Sequence, residues 1–248
     1  MTKTVLWRTA MEQSALELGC RVEDFLADKP VVVDARPCAA MRVYYQPPFP
    51  CNIVSYGNNA VASVSPECRE AAETYLNRYP WYHCFETPNL HELDALLAPL
   101  GVRTCYMAEY WLPNLEQLTP LDCAYPLKWL TRTDFQTLYL PEWSNALCAN
   151  RPEHDEVGIA AFDGETLVGF AACSSDCDSM WQIGVDVLPA YRRRGIASAL
   201  TSRLALEILR RNKVPFYCCA WSNLPSAKNA VRSGFRPAWV ELTCKPAP

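Results

Sequence analysis

The spacing of apolar residues along the chain predicts helices in several segments. Ile196, Leu200, Leu204 and Ile208 recur every fourth residue, which is typical of a helix with one apolar stripe. Ser-Pro and Thr-Pro pairs mark the starts of two further helices. In full, helices are predicted over Thr4–Leu18, Val22–Ala27, Pro66–Arg78, Pro88–Ala98, Thr133–Tyr139, Glu142–Ala149, Gly195–Arg211 and Ser226–Ser233.

Short apolar and β-branched runs between these helices predict strands. One pair of runs flanks Asp163-Gly164, which is a strong hairpin signal. Strands are predicted over Val31–Asp34, Asn52–Tyr56, Ala60–Val64, Val102–Tyr110, Pro126–Thr131, Glu156–Phe162, Glu165–Cys173, Met180–Val187, Phe216–Trp221 and Ala238–Thr243. The fold class is therefore predicted to be α/β with a mixed sheet.

A proline-containing stretch, Leu112–Asp122, predicts a linker near the middle of the chain. We therefore expect an N-terminal α/β lobe over residues 1–122 and a second α/β domain over residues 125–245. The second domain has the order β-α-α-β-β-β-α-β-α-β.

The composition excludes some classes of function. The chain has 248 residues, of which half are apolar, and a formal net charge of −4. A mildly acidic chain has no overall attraction for nucleic acid or for an anionic membrane, so neither is expected as a partner. No secretory leader pattern and no apolar run of about 20 residues occur, which favours a cytoplasmic location.

Thirteen cysteines and three histidines raise the question of a metal site or disulfides. No C-x-x-C pair occurs in the sequence, and we predict no metal site. In the cytoplasm most of these thiols are expected to be reduced and to pack as small apolar side chains.

The segment Val185–Ala197 carries the strongest chemical signal. A strand ends at Val187, and the basic turn Arg192-Arg193-Arg194-Gly195 leads directly into the helix that begins Ile196-Ala197-Ser198. The first turn of a helix has unpaired N–H groups and a partial positive charge, so it can bind a diphosphate. Gly195 leaves room for a phosphate to approach the backbone. We therefore predict an anion site over residues 192–198.

This pattern resembles the GNAT superfamily of N-acetyltransferases. Its [Q/R]-x-x-G-x-[G/A] signature matches Arg192–Ala197, and its later N-x-x-S…G-F pattern matches Asn223, Ser226 and Gly234-Phe235. The resemblance covers about the second half of the chain and includes a bacterial subgroup with an N-terminal extension. The strand–strand–helix–helix–strand order predicted for the N-terminal lobe is compatible with a degenerate acetyltransferase-like half, and the alternative is a scaffold or dimer surface.

The resemblance implies an acyltransferase whose acyl donor is acetyl-CoA. Its diphosphate would lie at residues 192–198, and its pantetheine arm would pair with the strand through Val185 and Val187. The N–H of Val187 or a neighbour would polarise the thioester carbonyl, and the Asn223 side chain would hold the pantetheine amide. The amine of a small molecule or peptide would then attack directly, without a covalent enzyme intermediate. Whether the protein forms a homodimer is left open.

Two departures from the family leave its general acid and base open. The position of the usual tyrosine is Ala230, and the usual carboxylate region reads Trp181-Gln182. Asp186, Tyr217, Ser226 or a chain of waters are the candidates for proton transfer.

Each of these features also has a structural interpretation. The arginine run could be a solvated helix start, Asn223 a turn residue, and Ser226 an N-cap. Because the usual acid and base are missing, the alternative to an enzyme is a GNAT-fold protein that binds CoA or a metabolite as a sensor.

Overall fold

The computed structural model describes residues 1–247, which form two compact units. The unit that we call the N-terminal unit comprises Trp7–Tyr110 and the chain from Ala238 onward. The other, called the C-terminal unit, comprises Met1–Leu6 and Trp111–Pro237. Each unit therefore uses two separate stretches of chain. The domain boundaries expected at residues 122 and 125 stay a prediction.

Five α-helices and ten β-strands are present in the part of the chain that the structure describes. The helices are α1 (Lys3–Leu18), α2 (Arg69–Leu76), α3 (Thr87–Leu97), α4 (Ile196–Arg210) and α5 (Leu224–Arg232). The strands are β1 (Val31–Asp34), β2 (Cys51–Ser55), β3 (Val61–Val64), β4 (Val102–Pro113), β5 (Leu127–Thr131), β6 (Asp155–Asp163), β7 (Thr166–Ser174), β8 (Met180–Val187), β9 (Val214–Ala220) and β10 (Phe235–Pro246).

The sheet of the C-terminal unit runs in the order β9-β8-β7-β6-β5. Its neighbours pair antiparallel from β5 to β8, and β8 pairs parallel with β9. The hairpin between β6 and β7 turns at Gly164, whose φ of 58° is the left-handed conformation that glycine adopts without steric cost.

Apolar side chains cover both faces of this sheet. On one face, α4 buries Ile196, Leu200, Leu204 and Ile208 against the strands, as the four-residue repeat predicts. The other face packs Phe170 against side chains from single helical turns between β5 and β6, such as Phe135 and Trp143. Because side chains pack on both faces of the sheet, the ends of β8 and β9 are held rigidly.

Within the N-terminal unit the strands pair in a mixed pattern: β1 and β3 are parallel, β3 and β2 antiparallel, and β2 and β10 antiparallel. The charged groups of Arg42, Glu17 and Glu241 are buried together in this unit, each with at most 4% of its surface exposed. Arg42 donates to Glu17 at 2.6 Å and to Glu241 at 2.9 Å. A buried guanidinium thus has two carboxyl groups as partners.

The prediction of a helix over Glu142–Ala149 is wrong. Only a single turn, Pro141–Trp143, is helical there, and the following residues form an irregular segment. The backbone N–H groups of Asn145 and Ala146 donate to the Asp186 carboxylate instead of to carbonyls four residues earlier. A carboxylate from a residue far along the chain has therefore replaced the helical hydrogen bonds. The local sequence does not reveal such a distant partner.

The predicted α/β class with a mixed sheet is confirmed, and Met180–Val187 is a strand with the predicted bounds. Strand β4 extends to Pro113, so the predicted linker Leu112–Asp122 begins as strand. No helix among residues 1–247 combines the length and the apolar character that crossing a lipid bilayer requires.

Candidate functional site

Strands β8 and β9 separate part of the way along their length. They pair only over Met180–Gln182 and Val214–Phe216. Beyond this point β8 continues to Val187 and β9 to Ala220, and no pairing between them is present among the described residues. The two strand ends therefore enclose a cleft that exposes backbone hydrogen-bonding groups of a sheet.

The hydrogen bonds between β8 and β7, on the side of β8 opposite the cleft, show which amides of β8 face the cleft. Leu188 N–H donates to the carbonyl of Val168 at 3.0 Å, which continues the antiparallel pairing with β7. Because alternate residues of an antiparallel pair point toward the partner, Val185 and Val187 point their N–H and C=O groups away from β7, toward β9. Val187 N–H and Val185 N–H are thus placed to donate to a molecule lying in the cleft.

The start of α4 follows β8 through the turn 188–195, and Gly195 before the helix is exposed. Gly195 occupies the N-cap with a φ of 79°, and no side chain caps the helix. The first hydrogen bond of the helix runs from Ala199 N–H to Gly195 C=O at 3.0 Å, so the N–H groups of Ile196, Ala197 and Ser198 have no acceptor among the described residues. These donors and the helix dipole form an anion-binding terminus.

The structure adds a backbone reason for the glycine to the one that the sequence suggested. A Cβ at Gly195 would meet nothing within 4 Å, so the protein itself leaves open space there. Gly195 also has a left-handed backbone, which favours glycine, and Arg193 is left-handed too with a φ of 66°. Two left-handed residues in three curve the backbone so that successive N–H groups converge on one point.

The three arginines before α4 have different surroundings. Arg192 donates from Nε to the Val187 carbonyl at 3.0 Å, and Arg194 donates to the Tyr125 hydroxyl at 2.5 Å. Arg193 is exposed and forms no ion pair with any described residue. Two of the arginines therefore fix the turn, and Arg193 is the one with its guanidinium available for a phosphate.

The same turn is attached to the β6–β7 hairpin. The Tyr191 hydroxyl donates to Asp163 Oδ2 at 3.0 Å, and this hydrogen bond is the main reason that the pKa of Tyr191 is raised. The rings of Tyr191 and Tyr125 pack edge to face, 5.7 Å apart. These contacts hold the backbone of the anion-binding turn in place before any ligand arrives.

Tyr217 and Ser226, two of the three predicted catalytic candidates, lie together. Tyr217 is the first residue of β9 beyond the paired stretch, and its hydroxyl lies 2.6 Å from Ser226 Oγ on α5. Burial raises the pKa of the Tyr217 phenol, and the hydrogen bond with Ser226 opposes this rise. Tyr217 is therefore a neutral proton donor at physiological pH.

Asn223 is the N-cap of α5, which begins at Leu224, two residues earlier than predicted. Its Oδ1 accepts from the backbone N–H of Ser226 at 3.2 Å. The interpretation of Ser226 as the N-cap is thus wrong, because Asn223 fills that position. The Asn223 side chain is exposed, so its Nδ2 hydrogens are available to other partners.

Asp186 contacts the irregular segment that follows Trp143. Its carboxylate accepts from Asn145 N–H at 2.9 Å, from Asn145 Nδ2 at 2.6 Å and from Ala146 N–H at 3.0 Å. These three hydrogen bonds fix the irregular segment after Trp143 against β8. These hydrogen bonds give Asp186 a structural role, and its part in proton transfer stays a prediction.

Sequence reasoning missed Gly184 and the segment that packs on it. A Cβ at Gly184 would lie 1.7 Å from the carbonyl oxygen of Asn145, so only glycine permits this approach. An isolated glycine inside a strand pattern often marks such a close contact, and that signal was present in the sequence. The segment containing Asn145 thus covers one face of β8 beside the cleft.

No cluster of three or more His, Cys, Asp or Glu side chains that could hold a metal ion occurs among residues 1–247. The donors around the cleft are instead backbone amides, hydroxyl groups and guanidinium groups. Such a set fits a phosphate-bearing ligand with amide groups along its length.

The model of one protein family, described as GNAT acetyltransferase, matches residues 108–238, which is more than half of the chain. The match includes the cleft, the start of α4 and α5. No curated protein matches the sequence.

Several solved structures are similar to parts of the chain. A GCN5-related N-acetyltransferase-like protein from Streptococcus suis is 21% identical with a TM-score of 0.48, covering 63% of this chain and 68% of its own. A GNAT-family acetyltransferase from Colwellia psychrerythraea is 16% identical with a TM-score of 0.47, covering 74% and 76%. A candidate acetyltransferase from Salmonella typhimurium, solved with its cofactor acetyl-CoA, is 16% identical with a TM-score of 0.36, covering 51% and 95%.

Proposed function

The chain belongs to the GNAT acetyltransferase family, and from this premise we propose that it transfers an acetyl group from acetyl-CoA to the amine of a small molecule or peptide. The observation that carries the proposal is the cleft between β8 and β9, which opens beside the uncapped start of α4. A thioester attached to a diphosphate through an amide-containing arm matches both features.

The diphosphate would bind at the start of α4. The N–H groups of Gly195, Ile196, Ala197 and Ser198 would donate to its oxygens, and Arg193 would add a positive charge. Arg192 and Arg194 act indirectly, since their hydrogen bonds hold the turn in its binding conformation. Binding then requires little rearrangement of the protein, which keeps its entropic cost low.

The pantetheine arm would lie in the cleft as an added strand. Val185 offers its N–H to an amide carbonyl of the arm, and Asn223 Nδ2 is exposed at the end of β9 for a second contact. Val187 N–H would then donate to the thioester carbonyl. A backbone donor of this kind stabilises the oxyanion of the tetrahedral intermediate, typically by about 3 kcal/mol.

The chemical step is direct attack by the neutral amine. The new C–N bond forms, the C–S bond breaks with its electron pair on sulfur, and the amine proton leaves to solvent. Ser226, hydrogen-bonded to Tyr217, would supply a proton to the thiolate. Since Asp186 is occupied by Asn145 and Ala146, the base is not assigned to it, and an amine that is weakly basic is the favoured acceptor class.

Two measurements test the proposal. Acetyl-CoA should raise the melting temperature of the chain, and absence of any shift over a wide concentration range would contradict the donor site. A panel of amines, including weakly basic arylamines, should then release free thiol from acetyl-CoA. Binding of CoA with no thiol release for any amine would instead favour a sensor that binds CoA without turnover.

A further inference from the structure

Two of the thirteen cysteines lie directly opposite each other in the N-terminal unit. Cys51 is the first residue of β2, Cys244 lies near the end of β10, and the two are partners in the antiparallel register. The next pair of partners on the same face is Ile53 and Leu242. All four side chains belong to one buried apolar cluster. The two thiols therefore point to the same side of the sheet, into the same core.

The spacing of such a pair fits a disulfide. Directly opposite residues of an antiparallel pair have Cα atoms about 4.5–5.5 Å apart. Disulfides join cysteines whose Cα atoms are about 4.4–6.8 Å apart. The backbone of the two strands therefore needs little adjustment for a bond between Cys51 and Cys244 to form.

The position of the pair along the strands bears on how a reagent reaches it. Both thiols are 0% exposed, so a reaction requires local opening of the structure. Cys51 and Cys244 form the last pair in the register of β2 with β10, and β10 ends two residues later at Pro246. The end of a strand opens at a lower free energy than its centre, so a small reagent reaches this pair without global unfolding.

We propose that Cys51 and Cys244 are a modification site, at which a disulfide forms when a small-molecule disulfide such as glutathione disulfide accumulates. All thirteen cysteines are free thiols in the structure, which is the reduced form. The disulfide would join β10 to β2 covalently. The proposal concerns the N-terminal unit and does not depend on acetyl transfer.

The reaction is two successive thiol–disulfide exchanges. The thiolate of one cysteine attacks the small disulfide, which forms a mixed disulfide and releases one small thiol. The thiolate of the other cysteine then attacks the sulfur of its partner and releases the second small thiol. The protein loses two electrons and two protons, and the small disulfide gains both.

The new bond would close a loop that contains the whole stretch Trp111–Pro237 of the C-terminal unit. Closing so long a loop removes much of the conformational entropy of the unfolded chain. The oxidised protein should therefore unfold at a higher temperature than the reduced protein.

The first test maps the bonds formed in the folded wild-type chain. The protein is incubated with glutathione disulfide, the remaining thiols are alkylated, and the digest is analysed by mass spectrometry. The peptides of Cys51 and Cys244 should be joined to each other. The same treatment in urea should give a mixture of many cysteine pairs. Separate Cys51 and Cys244 peptides, or the same mixture in both samples, would overturn the proposal.

The second test compares the Tm of the oxidised and reduced forms of the wild type and of three variants: Cys51→Ser, Cys244→Ser and Cys84→Ser. Cys84 is the matched control, because it is 0% exposed in the same apolar cluster but lies in the helical turn Trp81–Phe85. Comparing each variant with its own reduced form removes the effect of burying a hydroxyl group.

Oxidation should raise the Tm of the wild type and of Cys84→Ser by roughly 5–10 °C. It should leave the Tm of Cys51→Ser and of Cys244→Ser unchanged. A rise that persists in Cys51→Ser, or no rise in the wild type, would overturn the proposal.

Discussion

The hydroxyl of Tyr217 lies 2.6 Å from Ser226 Oγ, at the point where β9 leaves β8. The two residues come from different elements, a strand and the following helix. Ala230 on α5, the position where the family resemblance predicts a tyrosine, is fully buried. The phenol that contacts α5 is supplied by the strand.

Replacing Ser226 by Ala should lower kcat for thiol release by about ten- to a hundredfold, because the proton donor nearest the cleft is lost. KM for acetyl-CoA should change little, since the anion-binding turn is untouched. Steady-state kinetics at saturating amine measures both constants. A raised KM with normal kcat would show that Ser226 serves binding only.

Replacing Gly195 by Glu should reduce CoA affinity by more than about thirtyfold. The variant places a negative charge where the diphosphate binds and forces a non-glycine residue to a φ of 79°, which costs about 1 kcal/mol. The measurement is isothermal titration with CoA. Gly101→Glu is the matched control, because Gly101 has a φ of 68° and equally open space but lies in the N-terminal unit. Normal affinity in Gly195→Glu would contradict the phosphate site.

Replacing Asp186 by Asn should lower the free energy of unfolding by about 2 kcal/mol, because three donors lose a charged acceptor. Urea denaturation measures this change. Asp178→Asn is the control: its side chain is fully exposed and, among residues 1–247, pairs only with Lys213, so its loss should have little effect. Acetyl-CoA affinity should survive in both variants, and its disappearance in Asp186→Asn would place Asp186 in the donor site.

The buried carboxyl of Glu241 should make stability fall as the pH rises. Burial and the nearby Glu17 carboxylate raise its pKa from 4.5 to about 7, although Arg42 opposes the rise. The folded state therefore keeps a proton that the unfolded chain releases above about pH 4.5. The stabilisation is complete below that pH and is lost by about pH 7, with a size on the order of 3 kcal/mol.

Urea denaturation between pH 4.5 and 7.5 tests this expectation, with Glu241→Gln expected to flatten the decline. Burial also raises the pKa of Asp155 to about 6, so part of the decline should remain in that variant. Glu207→Gln is a suitable control, because hydrogen bonds from Arg210 hold the pKa of Glu207 at about 2, outside the range. An unchanged slope in Glu241→Gln would mean that Glu241 is ionised in the folded state.

Features set by local sequence were predicted well. The four-residue apolar repeat identified α4, the Asp163-Gly164 pair identified the β6–β7 hairpin, and the basic turn identified the uncapped helix start at Gly195. Each depends on hydrogen bonds or dihedral angles within a few residues, so the relevant physics is present in a short window of sequence.

Features set by distant contacts were not predictable. The segment at Asn145 is held by Asp186, forty-one residues away, and therefore does not form the helix that its own residues favour. Likewise, nothing in the sequence indicates that Tyr217 and Ser226 share a hydrogen bond, although both were candidates. The conformational preference of a short segment does not reveal a contact with a residue far along the chain that comes near only when the sheet forms.

Strand β10 returns from the end of the chain to pair with β2, with Val240 opposite Ser55 and Cys244 opposite Cys51. On the ribosome, the N-terminal unit can therefore be completed only after the C-terminal unit has been synthesised, because β10 follows that unit in the chain. Until then β2 presents an unpaired edge to the cell, a state in which chaperones or aggregation compete with folding. A stop codon or a proteolytic cut before Ala238 would leave that edge permanently open.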